Sequence, residues 1–272
     1  MTASATAVGT PAASPSSAPI SLYLRSWTTY PSIGPVNYFG YVPLVLSNGL
    51  YLSVRPTATA APLAMYVSPT RRTVSQAGLA RIVAEARADG LFGTATSFDC
   101  PDDPNVIVAG GAGPDYLVLV VDGATHQLSS SCPDAGAVPT PTIESAAPGT
   151  WGAFQRLKML LADPVSWLGP EIGPESAYDP DELAVLAQLR DNSAGTPNPA
   201  NVVQWPLAPF ASFGIAAFGG RCAVVSGSDA ATLLPVVKAA NDATVFRDGS
   251  GAFVSVIVRA FLPGEPDPCA GG

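Results

Sequence analysis

His126 is the only histidine in the chain, so a Ser–His–Asp relay would have to be built on it. Asp122, Ser129, Ser130 and Ser131 stand near it in sequence. One extended strand, however, sends successive side chains to opposite faces and holds them apart rather than converging them on one proton. An outward strand residue after a turn is the plainer reading of His126. Carboxylates offer a second chemistry. Glu171, Glu175, Asp179, Asp181 and Glu182 crowd one segment, and glycoside hydrolysis needs two carboxylates flanking a bond. The default for such a run is a solvated charged segment. A third group is Asp99, Asp102, Asp103 and Asn105 in FDCPDDPN, oxygen ligands on a loop beside Cys100. They could hold Ca²⁺, although the spacing matches no EF-hand. The alternative is a solvated turn pinned by a disulfide. No metalloprotease, Walker, dinucleotide or nucleophile-elbow motif occurs. Gly110-Gly111-Ala112-Gly113 lacks the following helix that a phosphate cradle needs. No cofactor is implied.

Aromatic residues form the most unusual cluster. Residues 26–54 carry no charge, and Trp27, Tyr30, Tyr38, Phe39 and Tyr41 fall within fifteen positions. Pro31, Gly34, Pro35 and Gly40 break any long regular element there. Amphipathic rings on a rigid loop can stack on sugars or anchor a protein partner. Otherwise they cover the sheet as a small second core. The uncharged stretch 202–220, with Trp205, Phe210, Phe213 and Phe218, is interrupted by Pro206, Pro209 and Gly214. It reads as core rather than as membrane contact. Arg259 lies between Ile257 and Phe261 in an apolar run, so it needs a partner if buried: Glu265 or a carboxylate of the acidic segment.

The elements that must position these residues are legible in part. Ile20, Leu22 and Leu24 alternate with polar residues, as do Val42, Leu44 and Leu46. Asn48-Gly49 then predicts a tight hairpin into Leu50, Leu52 and Val54, because both turn residues must take positive φ. Ser75 caps a predicted helix with Leu79, Ile82, Val83 and Ala86 on its apolar face, stopped by Gly90. Residues 116–121, apolar on both faces, predict a central strand, and Asp122-Gly123 turns it into 124–128. In the second half Thr150 caps a helix with Phe154, Leu157, Leu160 and Leu161 on one face, ended by Asp163-Pro164. Residues 181–189 fit helix or strand equally. Strands are predicted at 202–207 and 221–226. A helix follows over 229–241, bent or shortened by Pro235, and then a long strand through Val254, Val256 and Val258.

Composition bounds the function. Thirteen Lys+Arg against 21 Asp+Glu give a formal charge of −8, which argues against a nucleic-acid partner. Charged residues are only 12% and apolar ones 47%, which excludes wholesale disorder. Mean hydropathy is +0.28, yet no uninterrupted apolar run reaches the ~20 residues of a membrane span. Residues 1–19 hold only small or turn-forming residues after Met1, apart from Val8. They predict a flexible tail of the kind that follows the processing site of exported bacterial proteins. Cys100, Cys132, Cys222 and Cys269 have no C-x-x-C spacing, so two disulfides fit better than zinc. Of three possible pairings, Cys100–Cys132 with Cys222–Cys269 keeps each bond within one half of the chain.

Several segments carry a resemblance: VPLVLSNGLYLSV, VSQAGLARIVAEARADGLFG, WPL, GRCAVVSGSDAATLL and VSVIVRAFLPGEPDPC. Together they resemble uncharacterised exported proteins and predicted lipoproteins of bacteria with GC-rich genomes. The likeness covers most of residues 20–269. It implies export and disulfides, and no activity. The lipid-attachment cysteine of such proteins is absent from this sequence.

The expected fold is therefore α+β: two small antiparallel-sheet-plus-helix units, disulfide-stapled, with a disordered N-terminal tail. The expected division is tail 1–19, unit 20–133, linker 134–149 and unit 150–272. The expected function is an exported, non-catalytic binding or structural module at the cell envelope, with a carbohydrate or an envelope protein as partner. It is secreted or tethered through a lipidated N-terminus missing from this chain. The alternative is an extracytoplasmic hydrolase using acidic residues 171–182 or His126. A clamshell binder of small ligands is disfavoured, because each half looks too small for a lobe.

Overall fold

The computed structural model of the chain describes residues 19–28, 44–54, 64–99, 114–132, 146–190 and 197–270. Residues 1–18 of the expected tail and 134–145 of the expected linker lie outside them. The first strands are built on two turns of the predicted kind. Asn48 and Gly49 take φ of 46° and 91°, joining β2 (Leu44–Ser47) to β3 (Leu50–Ser53). Asp122 and Gly123 take 49° and 86°, joining β6 (Asp115–Val121) to β7 (Ala124–Ser130). Positive φ at both central residues gives a turn whose twist matches that of the strands. Glycine is doubly required at Gly49, because a Cβ there would lie 2.8 Å from the Val74 carbonyl oxygen.

These hairpins flank β1 (Leu22–Thr28), which pairs antiparallel with β2 and β6. With β4 (Thr70–Thr73), β5 (Ser97–Phe98) and β8 (Ser176–Ala177), the described strands form one eight-stranded sheet. Its order is β5-β7-β6-β1-β2-β3-β4-β8. The strands β9 (Glu182–Leu189), β10 (Val202–Gln204), β11 (Ile215–Ala217), β12 (Gly220–Ser226), β13 (Val245–Arg247) and β14 (Phe253–Ala260) form a second sheet. Its order among the described residues is β10-β13-β14-β9-β12-β11. Only β5–β7 and β10–β13 pair in parallel among the described strands.

Among the described residues, three helices pack on the first sheet. Helix α1 (Gln76–Ala88) starts where the Ser75 hydroxyl accepts the Gly78 N–H at 3.1 Å, and Gly90 follows its end at φ 69°. Helix α2 (Trp151–Ala162) starts at Thr150, whose hydroxyl accepts the Ala153 N–H at 3.4 Å. Pro164, with no N–H to satisfy, opens the short α3 (Pro164–Leu168). Leu79 and Ile82 of α1, Phe154 and Leu157 of α2, and Leu168 of α3 share a core with Leu22, Leu24 and Leu46. In the second layer α4 (Gly227–Ala239) runs on past Pro235 and packs Leu233 and Val237 against Val185, Val256 and Phe246.

The mixed helix and strand content bears out the α+β class, with two sheets among the described residues. Helix α2, which the expected division assigns to residues 150–272, shares the core of the first sheet, as does Leu168 of α3. Proline, glycine and small residues mark a surface connection, but they do not say which core the next helix face will meet. The second sheet begins only at β9. The layers are also joined directly. Val45 and Leu52, on the sheet face away from the helices, pack with Ala260 and Leu262 at the end of β14. Tyr23 donates its hydroxyl to the Gly264 carbonyl at 3.0 Å. Strand β9 settles the ambiguity over residues 181–189. Leu183, Val185 and Ala187 face the α4 side, Ala184 and Leu186 the other, and all five are buried. A strand covered on both faces loses the alternation that identifies one.

Candidate functional site

Each predicted chemical group has a definite setting. His126 is half-buried in β7, and its ring lies edge-on to Phe92 with centroids 4.7 Å apart. The Arg87 guanidinium stands 5.8 Å from the same Phe92 ring. The nearby hydroxyls serve the backbone: Ser129 donates to Thr96 O at 3.4 Å and Ser130 to Cys132 O at 3.3 Å. Asp122 Oδ1 accepts the Ser21 N–H at 3.2 Å. Among the described residues, no contact joins His126 to a carboxylate or a hydroxyl.

The acidic segment is dispersed in the same way. Glu171 accepts from the Ser75 hydroxyl, Glu175 pairs with Arg72 at 3.0 Å, and Asp179 pairs with Lys238. These partners belong to the start of α1, to β4 and to α4, so the carboxylates tie the crossing segment to both layers rather than facing one another. Asp181 and Glu182 are exposed. Asp99 of the candidate Ca²⁺ loop is also exposed; Cys100, Asp102, Asp103 and Asn105 lie outside the described residues. Among the described residues, no group of three or more His, Cys, Asp or Glu could hold a metal ion. Tyr30, Tyr38, Phe39 and Tyr41 lie outside them as well, while Trp27 falls in β1 opposite Tyr116. Trp205 and Phe213 are core, as expected: the two rings meet edge to face at 5.4 Å, and Trp205 meets Phe246 at 5.5 Å. No described helix is long and apolar enough to cross a membrane.

Buried charges are structural ties. Cys222 is bonded to Cys269 as predicted, and the bond lies in a small cluster on the face of the second sheet away from α4. Cys132 is buried and disulfide-bonded. Beside it, the fully buried Asp115 meets Lys158 and Gln155 of α2. Asp89, also fully buried, pairs with Arg156 of α2 at the end of α1. Burial pushes the Asp89 carboxyl above the usual carboxylate range, and Arg156 works against that shift. Arg259 pairs with Glu265 at 2.7 Å, the first of the two partners expected for it. Asp248 holds a loop: its Oδ1 accepts from the Ser250 hydroxyl at 2.6 Å and from the Ser250 and Ala252 N–H groups at 2.9 Å. Its Oδ2 accepts the Phe210 N–H at 3.0 Å. The Ser250 hydroxyl foremost, and these amides, hold the Asp248 carboxyl below its ordinary value.

One concave feature stands apart from these ties. An open pocket of about 320 Å³ lies at the end of the second sheet, and Arg190, Asn198, Asn201, Asp242, Thr244 and Ser255 supply most of its wall. Arg190 follows the last residue of β9, and its N–H bonds to the Phe253 carbonyl at 2.9 Å. Asn198 caps a single 3-10 turn by accepting the Ala200 N–H at 3.1 Å. Thr244 accepts the Asn241 N–H at 3.0 Å. Among the described residues, the Asn201 amide, the Asp242 carboxylate and the Ser255 hydroxyl have no hydrogen-bond partner. None of Asn198, Asn201 and Asp242 carries a motif that marks it in the sequence. The wall comes from four separated stretches, and the signal on offer was only that polar loops, NPAN and ND, follow apolar elements. Comparison of the chain with protein-family models, with curated proteins and with solved structures found no match.

Proposed function

We propose that the chain is an exported, non-catalytic binding module of the cell envelope, tethered through a lipidated N-terminal segment. The observation that carries the binding part is a contrast in how polar groups are used. Acidic residues 171, 175 and 179 and buried Asp89, Asp115, Asp248 and Glu265 are each engaged within the fold. Asn201, Asp242 and Ser255 instead line an open pocket. Pockets with a few unengaged polar groups are the usual places for ligands. The Cys222–Cys269 bond supports export, because structural disulfides persist in oxidising compartments. The tether rests on the composition of residues 1–19.

Two measurements test this reading. Cell fractionation with non-reducing peptide mapping should find the protein outside the cytosol with its cysteines linked. Recovery from the cytosol with four free thiols would overturn export. Incubation with ester, glycoside and peptide probes should give no turnover. A turnover that disappears on His126→Ala, or on joint replacement of Asp179 and Asp181 by alanine, would establish the hydrolase alternative.

A further inference from the structure

The open pocket at the end of the second sheet lets the binding-module reading, on which this inference rests, be taken to a ligand class. Its volume of about 320 Å³ stands at the small end of ligand sites, which begin near ~300 Å³. Only Pro197, Ala243 and Val245 of its nine lining residues are apolar, so an apolar ligand would gain little there. Arg190 already has a partner within the protein, so it counts as wall and not as a ligand group. The open groups are the Asn201 amide, the Asp242 carboxylate and the Ser255 hydroxyl. The Asn198 oxygen is engaged by the Ala200 N–H, which leaves its NH₂ as a further donor. These groups are held by bonded backbone. Asp242 stands in a turn where the Asn241 N–H donates to the Thr244 hydroxyl at 3.0 Å and the Ala243 N–H to Asn241 Oδ1 at 3.0 Å. The Thr244 N–H closes that turn on the Asn241 carbonyl at 2.9 Å, and the Asn201 N–H donates to the Asn198 carbonyl at 2.9 Å. Ser255 pairs with Gln188 inside the sheet. Groups fixed before a ligand arrives cost less to order when it binds.

The geometry points to a neutral polyhydroxylated ligand, a single sugar ring, as the occupant of this pocket. The open set mixes both kinds of hydrogen-bonding group in one small wall. Asp242 only accepts, the Asn198 NH₂ only donates, and Asn201 and Ser255 do both. A hydroxyl answers both kinds, because it donates its hydrogen and accepts on its lone pairs. Neighbouring hydroxyls of a ring donate to the Asp242 oxygens and accept from the amides. The bonds to the carboxylate are charge-assisted and are therefore the strongest of the set. An anion is opposed by Asp242 at close range and by the formal charge of −8 over the chain. An ammonium would satisfy Asp242, but it has no acceptor to offer the amide donors.

Calorimetric titration of the intact protein with glucose, galactose and mannose tests the assignment, with glucuronate as the anionic control and ethanolamine as the cationic one. Expected is saturable binding of at least one of these hexoses, with glucuronate weaker by about tenfold or more. Asp242→Ala and Asn201→Ala should each lower the hexose affinity by about tenfold. Asp242 is exposed and Asn201 half-buried, and neither side chain has a hydrogen bond to lose among the described residues. Both variants should therefore unfold at the wild-type temperature, and Ser255→Ala, also at an exposed position, takes the place of either one that does not. Arg190 is left in place throughout. No saturable hexose binding, or tighter binding of glucuronate or ethanolamine than of every hexose, overturns the ligand class. Hexose binding that survives the variants unchanged overturns the pocket assignment and leaves the binding-module reading standing. Turnover of any probe overturns that reading itself.

Discussion

Arg259 donates from Nη1 to Glu265 Oε2 at 2.7 Å, and the same carboxylate oxygen accepts the Leu262 N–H at 2.8 Å. The pair therefore fixes the chain as it leaves β14 and turns past Tyr23 of the first sheet. Glu265 is buried, while Arg259 keeps a fifth of its side chain in contact with solvent. Removing one partner leaves the other charge poorly solvated. Glu265→Ala is expected to lower unfolding free energy by about 3 kcal/mol. The double variant Arg259→Met with Glu265→Ala should lose less than the losses of Arg259→Met and Glu265→Ala added together. Urea unfolding of the four proteins measures this; strict additivity would mean the two residues act independently.

The Cys222–Cys269 bond closes a stretch of 47 residues. In the chain-entropy view a loop of that length contributes roughly 4 kcal/mol. Serine at both positions should lower the denaturant midpoint by a corresponding amount. Adding reductant to that variant should then have a smaller effect than adding it to the wild type. An unchanged midpoint would show that the bond adds no stability.

The two tight turns make an internal comparison. Gly49→Ala places a methyl 2.8 Å from the Val74 carbonyl oxygen as well as at positive φ, whereas a Cβ at Gly123 meets nothing within 4 Å. Gly123→Ala is expected to cost about 1 kcal/mol from backbone strain, and Gly49→Ala clearly more. Thermal unfolding of both variants gives the ranking, and equal losses would contradict the close approach.

Acid stability should depend on Asp248. Its folded carboxyl is held below the ordinary value by the Ser250 hydroxyl and three backbone N–H groups. The stability it contributes is thus present above its unfolded pKa of about 3.9, and is lost as pH falls from there through the folded value. Asp248→Asn removes that titration. Its stability should fall less steeply than wild type below about pH 4, and parallel curves from pH 5 to pH 2 would refute the assignment.

Placement of α2 with the first sheet is also open to measurement. Leu157 is fully buried in that core, and Leu157→Ala should cost about 3 kcal/mol. Hydrogen exchange at the amides of β1 and β6 should accelerate at least as much as at β9 and β14. Acceleration confined to β9 and β14 would return α2 to the second layer.

How much of this was legible beforehand follows from range. Turns and caps are local, so Asn48-Gly49, Asp122-Gly123, Ser75 and Thr150 could be read from a few adjacent residues. The Arg259–Glu265 pair spans six positions and was also within reach. Strand β4, Thr-Arg-Arg-Thr, has no apolar pattern at all. It exists because β3 and β8 pair on its two sides and because Arg71 and Arg72 bond to Ser176 and Gly173. The membership of α2 depended on which apolar face its own would meet, a relationship between distant segments. The pocket was hidden for the same reason: Arg190, Asn201, Asp242 and Ser255 carry no shared motif and meet only through the order β10-β13-β14-β9.

That strand order has a further outcome. Within the described residues both sheets end in very short strands: β5 and β8 have two residues each, β10 and β11 three each. A neighbouring copy would find few consecutive unpaired amides on which to add a strand, which is how natural proteins resist fibrous self-association. Copies of this chain at high concentration are in this way kept dispersed without relying on strong mutual repulsion.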